Sequence, residues 1–232
     1  MSNDSSAAES RLADNLEATR ATLVARSLEY MAQDEFWQRR YAARAQRFAN
    51  EDGAFHVRYL VDALRAGSPT VMAEYGKWLR DLLVPRGMCT LHLVEHFEHL
   101  WLAMEPEAGN APALRYVRAG IDALAYPKES PARAVQQAAA AVEEQVPSLT
   151  PLSGTSRNSA WQTRYLCHYV ADAIARADEA LLSTHVNWAR SLYASDHGST
   201  EPFDEWVGAV SAALGGVTVP AAAYLAIRET GK

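Results

Sequence analysis

Three histidines and two glutamates fall within the eleven residues of one segment, residues 91–101, whose sequence is LHLVEHFEHLW. If the segment is helical, His92, His96 and His99 share one face, because residues four and three apart lie about one turn from each other. Glu95 borders this histidine face. The apolar residues form a different face. We therefore expect the histidines to point away from the core of their own bundle, toward water, the other half of the chain or a partner.

Four interpretations of the histidine face are open. Its imidazoles could bind zinc or iron, since imidazoles one turn apart converge on one ion, or supply an axial ligand to haem. Their titration near neutrality could make the face respond to pH. The face could also be a solvated polar surface. The segment lacks both the Glu-x-x-His motif of di-iron bundles and the His-Glu-x-x-His motif of zinc enzymes.

The chain aligns with itself, so that residues 55–83 match residues 165–193 without a gap. Apolar residues three and four apart predict helices nearly throughout, and strand signals are rare. The sequence thus predicts an all-α fold, a tandemly duplicated helical bundle of two similar four- to five-helix units. In this self-alignment the identical pairs include Tyr59 with Tyr169, Asp62 with Asp172, Trp78 with Trp188, and Arg80 with Arg190.

The predicted organisation begins with a disordered N-terminus over residues 1–9, which are small and polar. The first helical repeat follows over residues 10–126 and the second over residues 127–232, packed as one globular unit. Ser68 before Pro69, and Ser130 before Pro131, have the residue types that begin helices. Each aspartate of the identical pairs is expected to bind an arginine and so to hold helices together.

The two predicted repeats differ on the histidine face. If they pair through this face, a cleft forms with imidazoles on one wall and an indole on the other, which suits a mostly apolar ligand carrying a polar group. The matching positions in the second half hold Pro202, Trp206 and Ala209. The candidate ligand-binding residues are His92, Glu95, His96, His99, Trp206, Trp78, Trp188, Tyr59, Tyr169 and His168, and the candidate metal ligands are His92, His96 and His99.

Residues 57–101 resemble the helical cap module that accompanies cobalamin-binding domains in bacterial methyltransferases and in light or redox sensors. The resemblance implies a helical bundle that covers a tetrapyrrole-like ligand. One departure concerns the Asp-x-His-x-x-Gly motif of the companion domain, because Asp196 and His197 are adjacent here. Another planar ligand, or none, is left open. The residues that carry the resemblance are Leu60, Leu64, Gly67, Gly87 and Trp101.

No sequence motif indicates catalysis. The sequence contains no Gly-rich phosphate-binding loop and neither of the catalytic motifs Gly-x-Ser-x-Gly and Cys-x-x-Cys. His168 lies four residues before Asp172, so that an Asp–His general base is conceivable. Two other histidines, His56 and His185, are interpreted as packing or surface residues.

Composition restricts the partners. The formal net charge of −6 argues against nucleic acid, and no apolar run reaches the roughly 20 residues of a membrane helix. Two distant cysteines and the lack of a secretory leader predict reduced thiols in the cytoplasm.

The sequence thus favours a cytoplasmic small-ligand-binding or sensory module, with a tetrapyrrole or other flat hydrophobic ligand between the two repeats. The alternatives are a metal- or haem-dependent helical enzyme that uses the histidine face, and a pure protein-interaction module. The cofactor is not identified beyond the two candidates of a tetrapyrrole and a divalent metal. Homodimer formation is left open.

Overall fold

All regular secondary structure is helical in the computed structural model, which describes residues 2–33, 36–150, 159–217 and 221. No strand occurs among these residues, which confirms the predicted all-α class. The eleven helices of the described residues are α1 (Ser2–Ala18), α2 (Arg20–Ala32), α3 (Phe36–Tyr41), α4 (Ala45–Arg65), α5 (Thr70–Leu83), α6 (Thr90–Met104), α7 (Ala111–Ala123), α8 (Pro131–Gln145), α9 (Ser159–Arg176), α10 (Glu179–His197) and α11 (Glu201–Gly215).

The helix boundaries follow the local sequence signals. Ser130 caps α8 by accepting a hydrogen bond from the backbone nitrogen of Arg133 at 3.1 Å, as its position before Pro131 predicts. Gly87, at a φ of 93°, ends the short 3-10 turn that follows α5. In the part of the chain that the structure describes, no helix is both long and apolar enough to cross a membrane.

The chain divides into two compact units whose boundaries differ from those predicted. Unit 1 comprises Met1–Leu82 and His92–Leu124, and unit 2 comprises Leu83–Leu91 and Ala125–Lys232. The segment Leu83–Leu91 thus interrupts unit 1 in sequence but packs in unit 2. The carbonyl of Gly87 accepts a hydrogen bond from Tyr169 Oη at 2.8 Å, and such contacts hold the segment there.

The N-terminus is helical from Ser2, so the expectation of a disordered lead-in is wrong for residues 2–9. Glu9 is buried and anchors this first helix to α7. It accepts a hydrogen bond from Tyr116 Oη at 3.0 Å and forms an ion pair with Arg115. Composition missed this element because its anchor is far away in the sequence.

Most residues of helix α6 are buried. Two neighbouring helices, α5 and α7, approach each other through glycines. A Cβ atom on Gly76 would lie 2.8 Å from the carbonyl oxygen of Gly120, so a side chain at this position would force the helices apart.

Unit 2 is organised around a buried carboxylate on α9. Asp172 is fully buried and accepts hydrogen bonds from the backbone nitrogen of Thr90 at 2.7 Å, from the Thr90 hydroxyl, and from Tyr126 Oη at 2.6 Å. The structural role predicted for Asp172 is thus present, and Thr90 and Tyr126 are among its partners. The predicted arginine, Arg190, forms a two-bond pair with Asp204, at 2.7 Å for each bond.

Positions that the self-alignment pairs share unusual local geometry. Gly67 and Ala177 both adopt a left-handed backbone, with φ of 61° and 50°, at the ends of α4 and α9. The rings of Tyr59 and Tyr75 stack at 3.8 Å and 14°, and those of Tyr169 and His185 stack at the same distance and angle.

Candidate functional site

The histidine face of α6 is buried inside unit 1. His92 is fully buried and His96 is 6% exposed, because the ring of Trp37 lies 5.0 Å from the first and 5.2 Å from the second. The expectation that this face points away from the core of its own bundle is therefore wrong, and so is the solvated-surface interpretation. Short helix α3 supplies the cover. Glu95, which borders the face, is buried as well.

Tyrosines of α2 and α3 complete this cover. The ring of Tyr30 stacks on His99 at 6.1 Å, and the ring of Tyr41 meets His92 edge-on at 6.3 Å. Because both faces of α6 are packed, the apolar pattern of the helix alone could not predict which side meets the core. The three histidines sit in an aromatic shell that their own unit provides.

His56 of α4 also belongs to this shell, although its sequence context suggested only a packing or surface residue. It is 3% exposed, and its Nδ1 atom lies 2.9 Å from Tyr75 Oη. Its ring lies 5.7 Å from His96 and 5.1 Å from Phe97, measured between centroids. Three helices, α4, α5 and α6, therefore bring two imidazoles and a phenol together.

Burial keeps these two imidazoles uncharged. It lowers the pKa of His56 to about 4. It lowers the pKa of His96 well below its usual value, and the neighbouring His56 and His99 lower it further. A neutral imidazole has one nitrogen with a free lone pair, which can bind a metal centre or accept a hydrogen bond.

The Nε2 atoms of His56 and His96 have no hydrogen-bond partner. Buried polar atoms in proteins are nearly always hydrogen-bonded, and leaving one unsatisfied costs about 1–3 kcal/mol. Two such atoms on neighbouring rings are therefore unusual. We refer to these two residues as the imidazole pair.

A carboxylate lies close to the imidazole pair. Burial and, to a smaller extent, Glu51 raise the pKa of Asp52 to about 6. Burial raises the pKa of Tyr75, and the charge of Asp52 raises it further. Asp52 also precedes His56 by one helical turn on α4. The site thus combines neutral imidazoles with a nearby acidic group.

Two of the predicted ligand-binding residues extend the cluster toward the surface. Tyr59 stacks on Tyr75, and the ring of Tyr75 lies 6.0 Å from that of Trp78. Trp78 is 52% exposed. The rings thus run without interruption from the buried His56 to an indole in solvent.

The other predicted residues belong to unit 2. The ring of Tyr169 stacks on His185, and that ring lies 5.8 Å from Trp188. Trp206 is buried, and its Nε1 atom donates to the hydroxyl of Thr163 at 3.4 Å. Tyr169, His185 and Trp206 are buried in unit 2, whereas Trp188 is half-buried.

His168 is not the base of an Asp–His pair. Its Nδ1 atom has no hydrogen-bond partner. Burial lowers its pKa to about 4, and two cations, Arg133 and Arg164, lower it further. An aspartate that oriented the imidazole would raise the pKa instead. The general-base expectation is therefore wrong.

The described residues contain no group of three or more His, Cys, Asp or Glu side chains placed to hold a metal ion. The predicted metal set of His92, His96 and His99 is therefore not assembled as a three-ligand site. Instead, His96 faces a histidine from another helix, with its ring 5.7 Å from that of His56.

Comparison with known proteins adds no relative. The chain matches none of the protein-family models, curated proteins or solved structures with which it was compared. The candidate site is therefore defined by its own geometry: two uncharged imidazoles inside an aromatic shell, a tyrosine that holds one of them, and a carboxylate nearby.

Proposed function

We propose that the protein is a small-ligand-binding or sensory module and that its ligand binds at the imidazole pair of unit 1. The observation that carries this proposal is the pair of buried Nε2 atoms without a hydrogen-bond partner. A bound group that engages these atoms would remove the cost of leaving them unsatisfied. Binding would thereby stabilise the folded state, as any ligand that prefers the native state does.

The chemistry of the site restricts the ligand. Neutral imidazoles bind a metal centre or a neutral polar group, and the aromatic shell favours an otherwise apolar molecule. A tetrapyrrole with a central metal fits this description, and cobalamin belongs to that class, in keeping with the resemblance of residues 57–101. Entry of a macrocycle requires α3 to move off α6, because the ring of Trp37 packs directly on His96 at 5.2 Å.

Ligand titrations followed by visible absorption test this function. Haem, biliverdin and cobalamin are added separately to the purified protein, and a shifted visible band is expected for a ligand whose metal an imidazole binds. His56→Phe and His96→Phe keep a ring in the core but remove its nitrogens, so they should abolish the shift. His197→Phe is the matched control, because His197 is an exposed histidine of unit 2. The proposal would be refuted if none of these ligands shifted its band on mixing with the wild type, or if the shift persisted in both His56→Phe and His96→Phe.

We also infer that the two units arose by tandem duplication. Support comes from the ungapped self-alignment and from the paired ring stacks of Tyr59 with Tyr75 and of Tyr169 with His185. The duplicates differ at the site. Trp206 stands where unit 1 has His96, and unit 2 fills this position with an indole. The ligand is therefore assigned to unit 1 rather than to a cleft between repeats.

Protein interaction is the second candidate function, and an exposed aromatic surface favours it. Phe55 is 51% exposed and Trp78 is 52% exposed, which is high for large apolar side chains. A homodimer in the cytoplasm is the simplest version, since neither Cys89 nor Cys167 forms a disulfide. Trp78→Ser should then lower the apparent mass in light scattering. The enzyme that uses a metal ion is the less favoured alternative, because the described residues contain no group of three or more His, Cys, Asp or Glu side chains placed to hold one.

A further inference from the structure

This inference rests on the proposed function and names the ligand. We propose that His56 and His96 bind one monovalent copper ion, Cu(I), through their Nε2 atoms. Both side chains are more than nine-tenths buried, and both Nε2 atoms are without a hydrogen-bond partner. The two residues come from different helices, α4 and α6, so the pair is assembled only in the folded unit.

The spacing of the rings fits a single ion between them. A metal–imidazole bond is about 2 Å long, so an ion bridging two imidazole nitrogens in a line needs ring centroids about 6 Å apart. The observed separation between the centroids of His56 and His96 is 5.7 Å. The separation of the two rings therefore leaves room for one two-coordinate ion between them.

The number of ligands favours Cu(I) over divalent ions. Zinc takes four ligands in structural sites and three protein ligands in catalytic ones, whereas no group of three suitable side chains occurs among the described residues. Cu(I) is stable with two ligands in a line. Burying its single charge also costs less than burying a divalent ion. The face of a nearby indole attracts cations, and the ring of Trp37 lies 5.2 Å from His96.

Tyr75 orients one of the two ligands. In the tautomer in which His56 Nδ1–H donates to the Tyr75 oxygen, the Nε2 atom carries the lone pair that a metal needs. The low pKa of both imidazoles means that no proton has to leave for the ion to bind at neutral pH. The ion enters and stays as Cu(I), so binding involves no electron transfer. Asp52 supplies a nearby negative charge once ionised.

The test is a competition titration of the full-length protein with a colorimetric Cu(I) chelator, with ascorbate to keep the copper reduced. The wild type is expected to take one equivalent of Cu(I). His56→Phe and His96→Phe should each weaken binding by at least about 100-fold, and Tyr75→Phe by about 10-fold. His185→Phe is the matched control, since this imidazole stacks on Tyr169 just as Tyr75 stacks on Tyr59, and it should keep full affinity.

Cysteine thiols also bind Cu(I), so a second measurement separates the two ligand types. X-ray absorption of the copper-loaded wild type should show two nitrogen ligands and no sulfur, and it needs no variant to fold. A Cys89→Ala, Cys167→Ala double variant should keep its copper. Sulfur ligands, retention of copper in both histidine variants, or no copper uptake by the wild type would overturn the inference.

The outcome also distinguishes this inference from the proposed function. If the wild type takes no Cu(I) but binds haem or cobalamin in a manner that depends on His56 and His96, the copper assignment fails and the ligand-binding function stands. If neither copper nor a tetrapyrrole binds in a manner that depends on the imidazole pair, both fail.

Discussion

His56 Nδ1 lies 2.9 Å from Tyr75 Oη, and this buried hydrogen bond joins α4 to α5 within unit 1. It satisfies one nitrogen of the imidazole and leaves the other, Nε2, without a partner. The bond thus fixes the ring in the orientation that makes the imidazole pair available to a ligand. Removing either partner should affect both stability and binding.

Tyr75→Phe should lower the free energy of unfolding by about 1–2 kcal/mol, because a buried Nδ1 atom loses its only identified partner. Urea unfolding followed by circular dichroism measures the change. Tyr59→Phe is the control, since Tyr59 stacks on the same ring and its loss should cost less than about 0.5 kcal/mol. Equal losses in the two variants would show that the hydrogen bond contributes nothing.

Trp37→Ala should remove the cover of the histidine face, at a cost of about 3–4 kcal/mol. Water then reaches His96, and its pKa should rise toward 6.5 because burial is the main cause of its lowered value. Imidazole NMR titration measures this rise. Trp78→Ala is the matched control, because Trp78 is half exposed and does not cover the histidines. A pKa for His96 that stays low in Trp37→Ala would contradict the assigned role of α3.

Gly76→Ala should destabilise unit 1, because the added Cβ would lie 2.8 Å from the backbone oxygen of Gly120. Overpacking of this kind costs about 1–3 kcal/mol, and the better helix propensity of alanine offsets up to about 1 kcal/mol. Gly208→Ala on α11 is the opposite case, since a Cβ there meets nothing within 4 Å. It should stabilise the protein by up to about 1 kcal/mol. Thermal unfolding of both variants tests the contrast in sign.

Asp172→Asn should destabilise unit 2 by about 2–4 kcal/mol. The carboxylate accepts three hydrogen bonds, two from Thr90 and one from Tyr126. In the variant an NH2 group replaces one accepting oxygen, so it faces a hydrogen-bond donor that it cannot pair with. Asp62→Asn, at the position that the self-alignment pairs with Asp172, is the control. Asp62 is exposed, so its loss should change stability by less than about 0.5 kcal/mol. Chemical denaturation of both variants decides this prediction.

Protonation of His168 should lower the free energy of unfolding as the pH falls below about 6.5. Burial, with Arg133 and Arg164, lowers its pKa from 6.5 to about 4. The unfolded chain therefore takes up a proton before the folded one does. The stability held by the neutral imidazole is complete above about pH 6.5 and is lost as the pH falls toward 4.

The size of this effect is about 1 kcal/mol between pH 7 and 5, after a reduction for partial exposure. Unfolding free energies at the two pH values measure it. His168→Gln should show a smaller decrease than the wild type. His197→Gln, which changes an exposed histidine, should decrease as the wild type does. A wild type and His168→Gln variant with the same pH dependence would rule out the effect.

Local sequence signals determined the secondary structure. Ser130 before Pro131 begins α8, and the breakers at Pro85 and Gly87 follow the end of α5, because caps and turns depend on residues close in the chain. The self-alignment pairs Tyr59 with Tyr169, and the structure shows that each of these tyrosines stacks on a ring sixteen residues further along the chain.

Tertiary structure decided what surrounds those helices. The spacing of His92, His96 and His99 placed them on one face, but only the docking of α3 buried that face, and Trp37 is far from it in the sequence. His56 carried no signal in its own segment, because its role depends on a tyrosine and a histidine from two other helices. The imidazoles of His56 and His96 are buried by residues that are distant in the sequence. The local sequence around each histidine therefore could not predict its burial.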